Sequence, residues 1–131
     1  MAEAARVETG TMGRVAYGRL APSEDLVQGV EKLCLSLGMR HAFVRSALGS
    51  LVDACLDAPG DTGECFVVRG PAIEVLTLHG EVRPQADGAL RAQLHGVVVD
   101  TDGRIHGGPF VPGANPVCVT FEVTLEEWLP S

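Results

Sequence analysis

The residues best suited to chemistry lie in one stretch, positions 92 to 109, which carries two histidines, an Asp-Gly step and a Gly-Gly step. Imidazoles change protonation near neutral pH and can bind metals or transfer protons. Alternation along a strand predicts that Gln93 and His95 point to the same face. These two side chains are the first candidates for a ligand-binding or acid-base site. Gly107 and Gly108 are candidates for a bulge or a close approach of two backbones beside it.

Two strands joined by a tight turn are expected to position these residues. Asp102-Gly103 between two apolar runs is typical of a two-residue hairpin loop, because both central positions need positive φ. With this turn, Val99 pairs with His106, and His95 lies opposite Phe110, next to Pro109. His106 then lies about 13 Å along the strand from the point opposite His95, at ~3.3 Å per residue. That separation is too large for the two imidazoles to bind one metal ion.

Two further polar residues lie on a predicted strand over residues 72–82. If His79 faces His95 across adjacent strands, the two histidines could line a small polar pocket; the alternative is a half-buried histidine bonded to a neighbouring strand. Glu74 is a candidate ligand contact, although a flanking salt bridge is the simpler role for it. His41 follows the predicted end of a helix and is expected at the surface.

One helix and at least six strands are expected to carry the site. Ser23 is the predicted N-cap, with Glu24 and Asp25 in the first helical turn and Gly38 as the C′ residue. The predicted apolar face of the helix consists of Leu26, Val30, Leu33, Cys34 and Leu37. The predicted strands cover residues 14–20, 40–48, 51–57, 64–69, 72–82, 91–100, 104–111 and 116–125.

This order of elements predicts the fold class. A single helix cannot build alternating βαβ units, so the class is α+β, with a largely antiparallel sheet packed against one main helix. The strands carry apolar residues on both faces, and one helix can cover only one of them. The second face is therefore expected to pack against other subunits, with a monomer covered by long loops as the alternative.

Composition limits the function classes. The 131 residues suit one domain over 13–131 behind a loose N-terminal tail over 1–12. No apolar run approaches the ~20 residues of a membrane helix, and no secretory signal is evident, so no membrane association and a cytoplasmic location are expected. The net charge of −7 opposes nucleic acid as a partner.

The four cysteines are expected to be reduced, with a Cys55–Cys65 disulfide as the lesser alternative.

The chain resembles the plant and prokaryote conserved (PPC) domain family, in a bacterial stand-alone form without an AT-hook. The resemblance spans residues 14 to 127 and implies a PPC-like fold and a homotrimer. The matching segments are Arg19 to Leu26, Ser46 to Leu51, Ile73 to Gly80, Gln93 to His95, Asp100 to Gly103, and Gly107 to Pro109.

The resemblance also implies a zinc site, with three imidazoles at the positions of Gln93, His95 and Pro109. Only His95 keeps its ligand type here, so no cofactor is expected. Zinc is the alternative if a bulge at Gly107-Gly108, or a histidine from another subunit, completes the set. Glu74 matches an acidic residue of a partner-binding segment in plant members, but the Gly-Arg of that segment is missing.

Three function classes follow, in this order. The first is a non-enzymatic homotrimeric PPC-like module that binds a protein partner or a small ligand, with regulation as one role. The second is a metal- or histidine-dependent enzyme of unknown reaction, using His95 with His79 and Gln93. Enzyme signatures such as a nucleophile elbow or a P-loop are absent from the sequence. The third is DNA binding by family label, which the net charge and the missing AT-hook oppose.

Overall fold

The computed structural model describes residues 4–57 and 65–131. These residues form one α-helix, which lies between the first two strands, and eight strands. The elements in chain order are β1 Gly10–Leu20, α1 Leu26–Leu37, β2 Ala42–Leu51, β3 Ala54–Asp57, β4 Cys65–Val68, β5 Ile73–Pro84, β6 Leu90–Val99, β7 Ile105–Pro109 and β8 Val117–Pro130. In the described ranges no helix has the length and apolar character that crossing a membrane requires.

Six strands build one antiparallel sheet in the order β1-β8-β2-β5-β6-β7, while β3 and β4 form a separate two-stranded ladder. The predicted α+β class, with a largely antiparallel sheet and one main helix, is confirmed. β8 extends beyond the predicted 116–125 because it pairs with both β1 and β2.

The core lies between the sheet and α1. Leu26, Val30 and Cys34 of the helix are fully buried, as is Phe121 of β8. Burial raises the pKa of the Cys34 thiol to about 11. The other side of the sheet carries no helix, and we call it the helix-free face.

The helix begins later than predicted. Asp25 is the N-cap, and its Oδ2 accepts a hydrogen bond from the Gln28 N–H at 2.9 Å. Ser23 instead has a φ of 73°, and its N–H donates to the Val117 carbonyl at 2.8 Å. The predicted Ser23 cap and the predicted acidic first turn are therefore wrong. The predicted helix end is right, since Gly38 has a left-handed φ of 70°.

Ordered structure begins inside the segment expected to be a tail. β1 begins at Gly10, three residues before the expected domain boundary. The Ser131 N–H donates to the Thr9 carbonyl at 2.9 Å, and the indole N–H of Trp128 donates to the Glu8 carboxylate. These bonds tie the start of the described chain to its end.

The β6–β7 hairpin differs from the prediction by one residue. The Asp100 N–H donates to the Arg104 carbonyl at 2.9 Å, and Gly103, with a φ of 80°, donates to the Asp100 carbonyl at 3.0 Å. This is a three-residue loop rather than the predicted two-residue loop. His95 therefore lies opposite Pro109, not Phe110. The slip also moves His106 to the other face of the sheet.

The expectation of four reduced thiols is wrong for one pair, because Cys55 and Cys65 form a disulfide with their Cα atoms 6.0 Å apart. The β3–β4 ladder brings Cys65 opposite Asp57, so that Cys55 is its diagonal neighbour. Cys34 and Cys118 are free.

An ion pair between the nearly buried carboxylate of Glu127 and the half-exposed guanidinium of Arg14 makes the stability of the fold depend on pH. Glu127 accepts from Arg14 at Nε, Nη2 and the backbone N–H, at 3.0 to 3.1 Å. The side-chain hydrogen bonds from Arg14 hold the pKa of the Glu127 carboxyl below its ordinary value of 4.5. The pair therefore stabilises the fold fully above about pH 4.5, and that contribution disappears as the pH falls through the lower folded-state pKa.

We expect Glu127→Gln to have a flatter acid limb than the wild type. The two proteins should differ most above pH 4.5 and converge below it, because protonation already removes the charge from the wild-type carboxyl. Urea unfolding at a series of pH values measures this. Glu74→Gln, at an exposed glutamate, is the matched control and should follow the wild-type profile. A constant gap between Glu127→Gln and wild type down to pH 2 to 3 would contradict the assignment.

Candidate ligand-binding site

Two histidines face each other across neighbouring strands. His79 of β5 pairs directly with His95 of β6, and their rings stack with centroids 5.9 Å apart and planes 27° apart. Both side chains are exposed on the helix-free face. A shared polar pocket required these two histidines to face each other across adjacent strands. The structure shows this arrangement.

Gln93 and Pro109 complete this group. Gln93 lies two residues before His95 on the same face, and Pro109 lies directly opposite His95 on β7. The predicted site residues His79, Gln93 and His95 thus lie together.

Gly107 and Gly108 provide a close approach and not a bulge. The β6–β7 register is continuous through both glycines, so of the two predicted alternatives the structure has the close approach and not the bulge. A Cβ on Gly108, whose φ is 154°, would lie 3.3 Å from the Asp57 carbonyl oxygen. β3 therefore passes tightly against β7 at Gly108.

Glu74 and His106 lie outside the group. Glu74 is exposed opposite Val99, five residues or about 16 Å from His79 along β5, and among the described residues it makes no ion pair, against the predicted salt bridge. His106 bonds to the Asp100 carboxylate at 2.9 Å and packs against the ring of Phe66. The hydrogen bond from His106 lowers the pKa of Asp100.

His41 is not the surface residue expected. Its side chain is only 12% exposed, and its Nε2 lies 3.1 Å from the Glu81 carboxylate, which also bonds to Arg83. Burial acts to raise the pKa of Glu81, but the hydrogen bonds from Arg83 and His41 outweigh it and the pKa is lowered. Glu81 lies opposite Gln93, so an anchored carboxylate borders the histidine pair.

A cleft of about 720 Å³ opens beside these residues, between α1 and the outer edge of β6. We call it the edge cleft. Gln93 and His95 lie on its rim, where a shallower depression of about 440 Å³ begins on the helix-free side. The remaining lining comes from α1, the β5–β6 turn, β6 and the segment after β7, namely Gln28, Glu31, Gln85, Asp87, residues 89–92, Leu94, Pro109, Phe110 and Pro112.

Glu31 links the helix to the sheet inside the edge cleft. Its Oε2 accepts a hydrogen bond from the Ala92 N–H at 2.8 Å, at an edge position where a neighbouring strand would otherwise bond. The cleft thus contains two carboxylates, from Glu31 and Asp87, together with amides, a guanidinium from Arg91 and an imidazole around an apolar floor. Such a mixture can orient a polar ligand and exclude water from its apolar parts.

A family model, the Plants and Prokaryotes Conserved (PCC) domain, matches residues 7–129 of this chain. The chain belongs to this family. The recognition made from the ordered sequence segments is therefore confirmed.

The chain is also similar to a curated protein and, in its fold, to solved structures. The chain is 35% identical over 121 residues to the Bifunctional protein GlmU of Synechococcus sp. (strain JA-3-3Ab), covering 92% of this chain and 18% of that protein. It therefore spans less than a fifth of that relative's length. The metal-containing protein AF0104 of Archaeoglobus fulgidus has a TM-score of 0.79 at 22% identity, covering 97% of this chain and 88% of that one. A proposed DNA-binding protein of Bacteroides thetaiotaomicron has a TM-score of 0.74 at 13% identity, covering 90% and 83%.

The zinc site of three imidazoles that the family resemblance implied can be compared with the residues present. Gln93, His95 and Pro109 do lie together, but proline offers no side-chain donor and the glutamine only an amide oxygen. His79 supplies a second imidazole. The described residues contain no group of three or more His, Cys, Asp or Glu side chains able to hold a metal ion. The donor set of this PCC domain therefore does not fit a zinc site of three imidazoles.

Sequence reasoning missed the residues that reach the site from a distance. Glu31 lies between Val30 and Lys32 in the helix, and nothing in the sequence marks it as the partner of Ala92, which is 61 residues away. Arg91 and Asp87 lay in a segment interpreted only as a strand start and a turn. They line the cleft because this part of β6 extends beyond the end of β7.

Proposed function

We propose that this PCC domain is a non-enzymatic homotrimeric module that binds a small ligand or a protein partner in the edge cleft, in a regulatory rather than a catalytic role. The observation that carries the proposal is the cleft itself, where α1, β6 and the predicted residues Gln93 and His95 converge. Its volume of about 720 Å³ lies within the range of pockets that enclose small molecules.

The bonding of the two histidines supports binding rather than catalysis. An imidazole that acts as a general base is usually oriented by a hydrogen bond on its other nitrogen. Within the described residues, neither His79 nor His95 has such a partner, and their specific contact is the ring stack. The alternative, a histidine-dependent enzyme, would need the substrate or another subunit to orient these rings.

Exposed apolar residues on the helix-free face support self-association. Val15, Tyr17, Leu48 and Ile105 are each 59 to 65% exposed on this face. A face of this kind is stabilised when a second copy covers it. The trimer is the assembly that the family resemblance implies.

DNA binding is the third candidate. It rests on the description of the Bacteroides neighbour, whose 13% identity to this chain carries the fold and no binding surface. The net charge of −7 acts against phosphate contacts. Arg19 and Arg45 are moreover paired with Glu122 and Glu126 on the helix-free face.

Native mass spectrometry of protein purified without chelator or affinity metal tests the proposal. We expect a species of three times 13.8 kDa that retains a small molecule or captures a protein partner. Ala89→Trp, which fills the edge cleft, should release that mass, whereas Ala86→Trp on the same turn outside the cleft should keep it. A monomeric mass at micromolar protein would refute the trimer, and retention of the mass by Ala89→Trp would refute the cleft. Catalytic turnover of a retained molecule would favour the enzyme.

A further inference from the structure

The edge of β6 that lines the cleft has its backbone groups aimed into it. The Leu94 carbonyl accepts from the Phe110 N–H at 2.9 Å, and the Ala92 N–H donates to Glu31 at 2.8 Å. The backbone N–H and C=O of one strand residue point to the same side. The Ala92 carbonyl and the Leu94 N–H must therefore point to this same edge, away from β5.

These two groups have no hydrogen-bond partner among the described residues. Ala92 and Leu94 are nevertheless only 4% and 3% exposed. Buried backbone groups in folded proteins are almost always paired. β7 does not supply the partner because it ends at Pro109, and Phe110 then bridges to Leu56 of β3.

The spacing of the two groups identifies the partner. A carbonyl at one residue and an N–H two residues later are the pair that one residue of a parallel neighbouring strand uses, donating to the first and accepting from the second. We propose that the edge cleft binds a short extended peptide that lies parallel to β6, with one of its residues beside Gln93. This rests on the proposed binding function of the cleft and names the chemistry of its ligand.

The surroundings determine which peptide fits. The residue preceding the one beside Gln93 lies alongside Ala92 and points towards α1, where Glu31 is anchored. A lysine or arginine there meets the carboxylate, and Asp87 at the rim adds to the attraction. Phe110 already occupies the position beside Leu94, so the peptide ends or turns away after the residue beside Gln93. The ligand is thus a basic residue followed by one terminal residue.

The amide of Leu94 reports the binding directly. In ¹⁵N-labelled full-length protein, acetyl-Lys-Ala-amide should shift the Leu94 amide proton downfield and slow its hydrogen exchange. Acetyl-Lys-(N-methyl)Ala-amide lacks the N–H that donates to the Ala92 carbonyl and should bind at least about tenfold more weakly. An unmoved Leu94 amide at millimolar peptide, or equal binding of the N-methylated peptide, would overturn the proposal.

A variant of the same shape without the charge tests the basic residue. Glu31→Gln keeps an oxygen for the Ala92 N–H but removes the charge, so the preference for acetyl-Lys-Ala-amide over its norleucine analogue should fall several-fold. Glu74→Gln should leave that preference unchanged. An unchanged preference in Glu31→Gln would refute the basic position. If Ala89→Trp releases a retained mass while the peptides leave Leu94 unmoved, the peptide proposal fails and the binding module stands; if the cleft-filling variant also changes nothing, both fail.

Discussion

Asn115→Ala should lower the free energy of unfolding by about 3 kcal/mol, because it removes three hydrogen bonds from the interior and leaves the Cys55 N–H without a partner. Asn115 is fully buried. Its Oδ1 accepts from the Cys55 N–H at 2.7 Å, and its Nδ2 donates to the carbonyls of Cys55 at 3.2 Å and Val111 at 2.8 Å. The side chain thus joins β3 to the segment that follows β7.

Urea unfolding measures this loss. Gln85→Ala is the control, because it removes an exposed amide side chain of similar polarity. It should change the free energy of unfolding by less than about 0.5 kcal/mol. A loss below about 1 kcal/mol for Asn115→Ala would show that water replaces the three hydrogen bonds without cost, and that the side chain is not what joins these segments.

The fold could be predicted from local patterns because each element carries its own signal. The apolar spacing between Leu26 and Leu37 and the glycine at position 38 mark the helix, and the Gly, Pro and Asp punctuation separates strands that the structure reproduces within a few residues. The count of one helix against many strands then leaves few layer arrangements. The family motifs point to the same architecture, which the match over residues 7–129 confirms.

Details of register and capping could not be predicted because neighbouring choices are close in energy. Asp102-Gly103 suits a two-residue loop and also a three-residue loop with Gly103 in the left-handed region. Asp100 decides between them, since its Oδ1 accepts from the N–H groups of Asp102 and Arg104 at 2.9 Å. Ser23 and Asp25 are both good caps. The bond from Ser23 to Val117, 94 positions away in the chain, selects Asp25.

The candidate site was predicted only in part for a related reason. His79 and His95 meet because a short turn between β5 and β6 sets their register, and the sequence allowed that pairing as a condition. Glu31 contributes through a bond that spans 61 residues. A single sequence carries no signal for such contacts, so they emerge only from the folded chain.

Gly80→Ala should be at least as damaging as Asn115→Ala and should act directly on the histidine pair. Gly80 follows His79 on β5, has a φ of 147°, and lies opposite Leu94. A Cβ there would lie 2.1 Å from the Gln93 carbonyl oxygen. Because a rigid backbone atom cannot move aside as a side chain can, β5 and β6 must separate. We expect a loss of about 3 kcal/mol or more from overpacking and backbone strain together.

Gly88→Ala separates the two contributions. Gly88 has a φ of 88°, but a Cβ there would meet nothing within 4 Å, so its loss should be limited to about 1 to 2 kcal/mol of conformational strain. Thermal unfolding compares the stabilities, and the nuclear Overhauser effect between the rings of His79 and His95 reports whether the strands have parted. Equal losses in the two variants, with the ring contact intact in Gly80→Ala, would mean that β5 relieves the clash without moving from β6. A larger loss in Gly80→Ala with the ring contact gone would show that tight backbone packing at Gly80 holds the two histidines together.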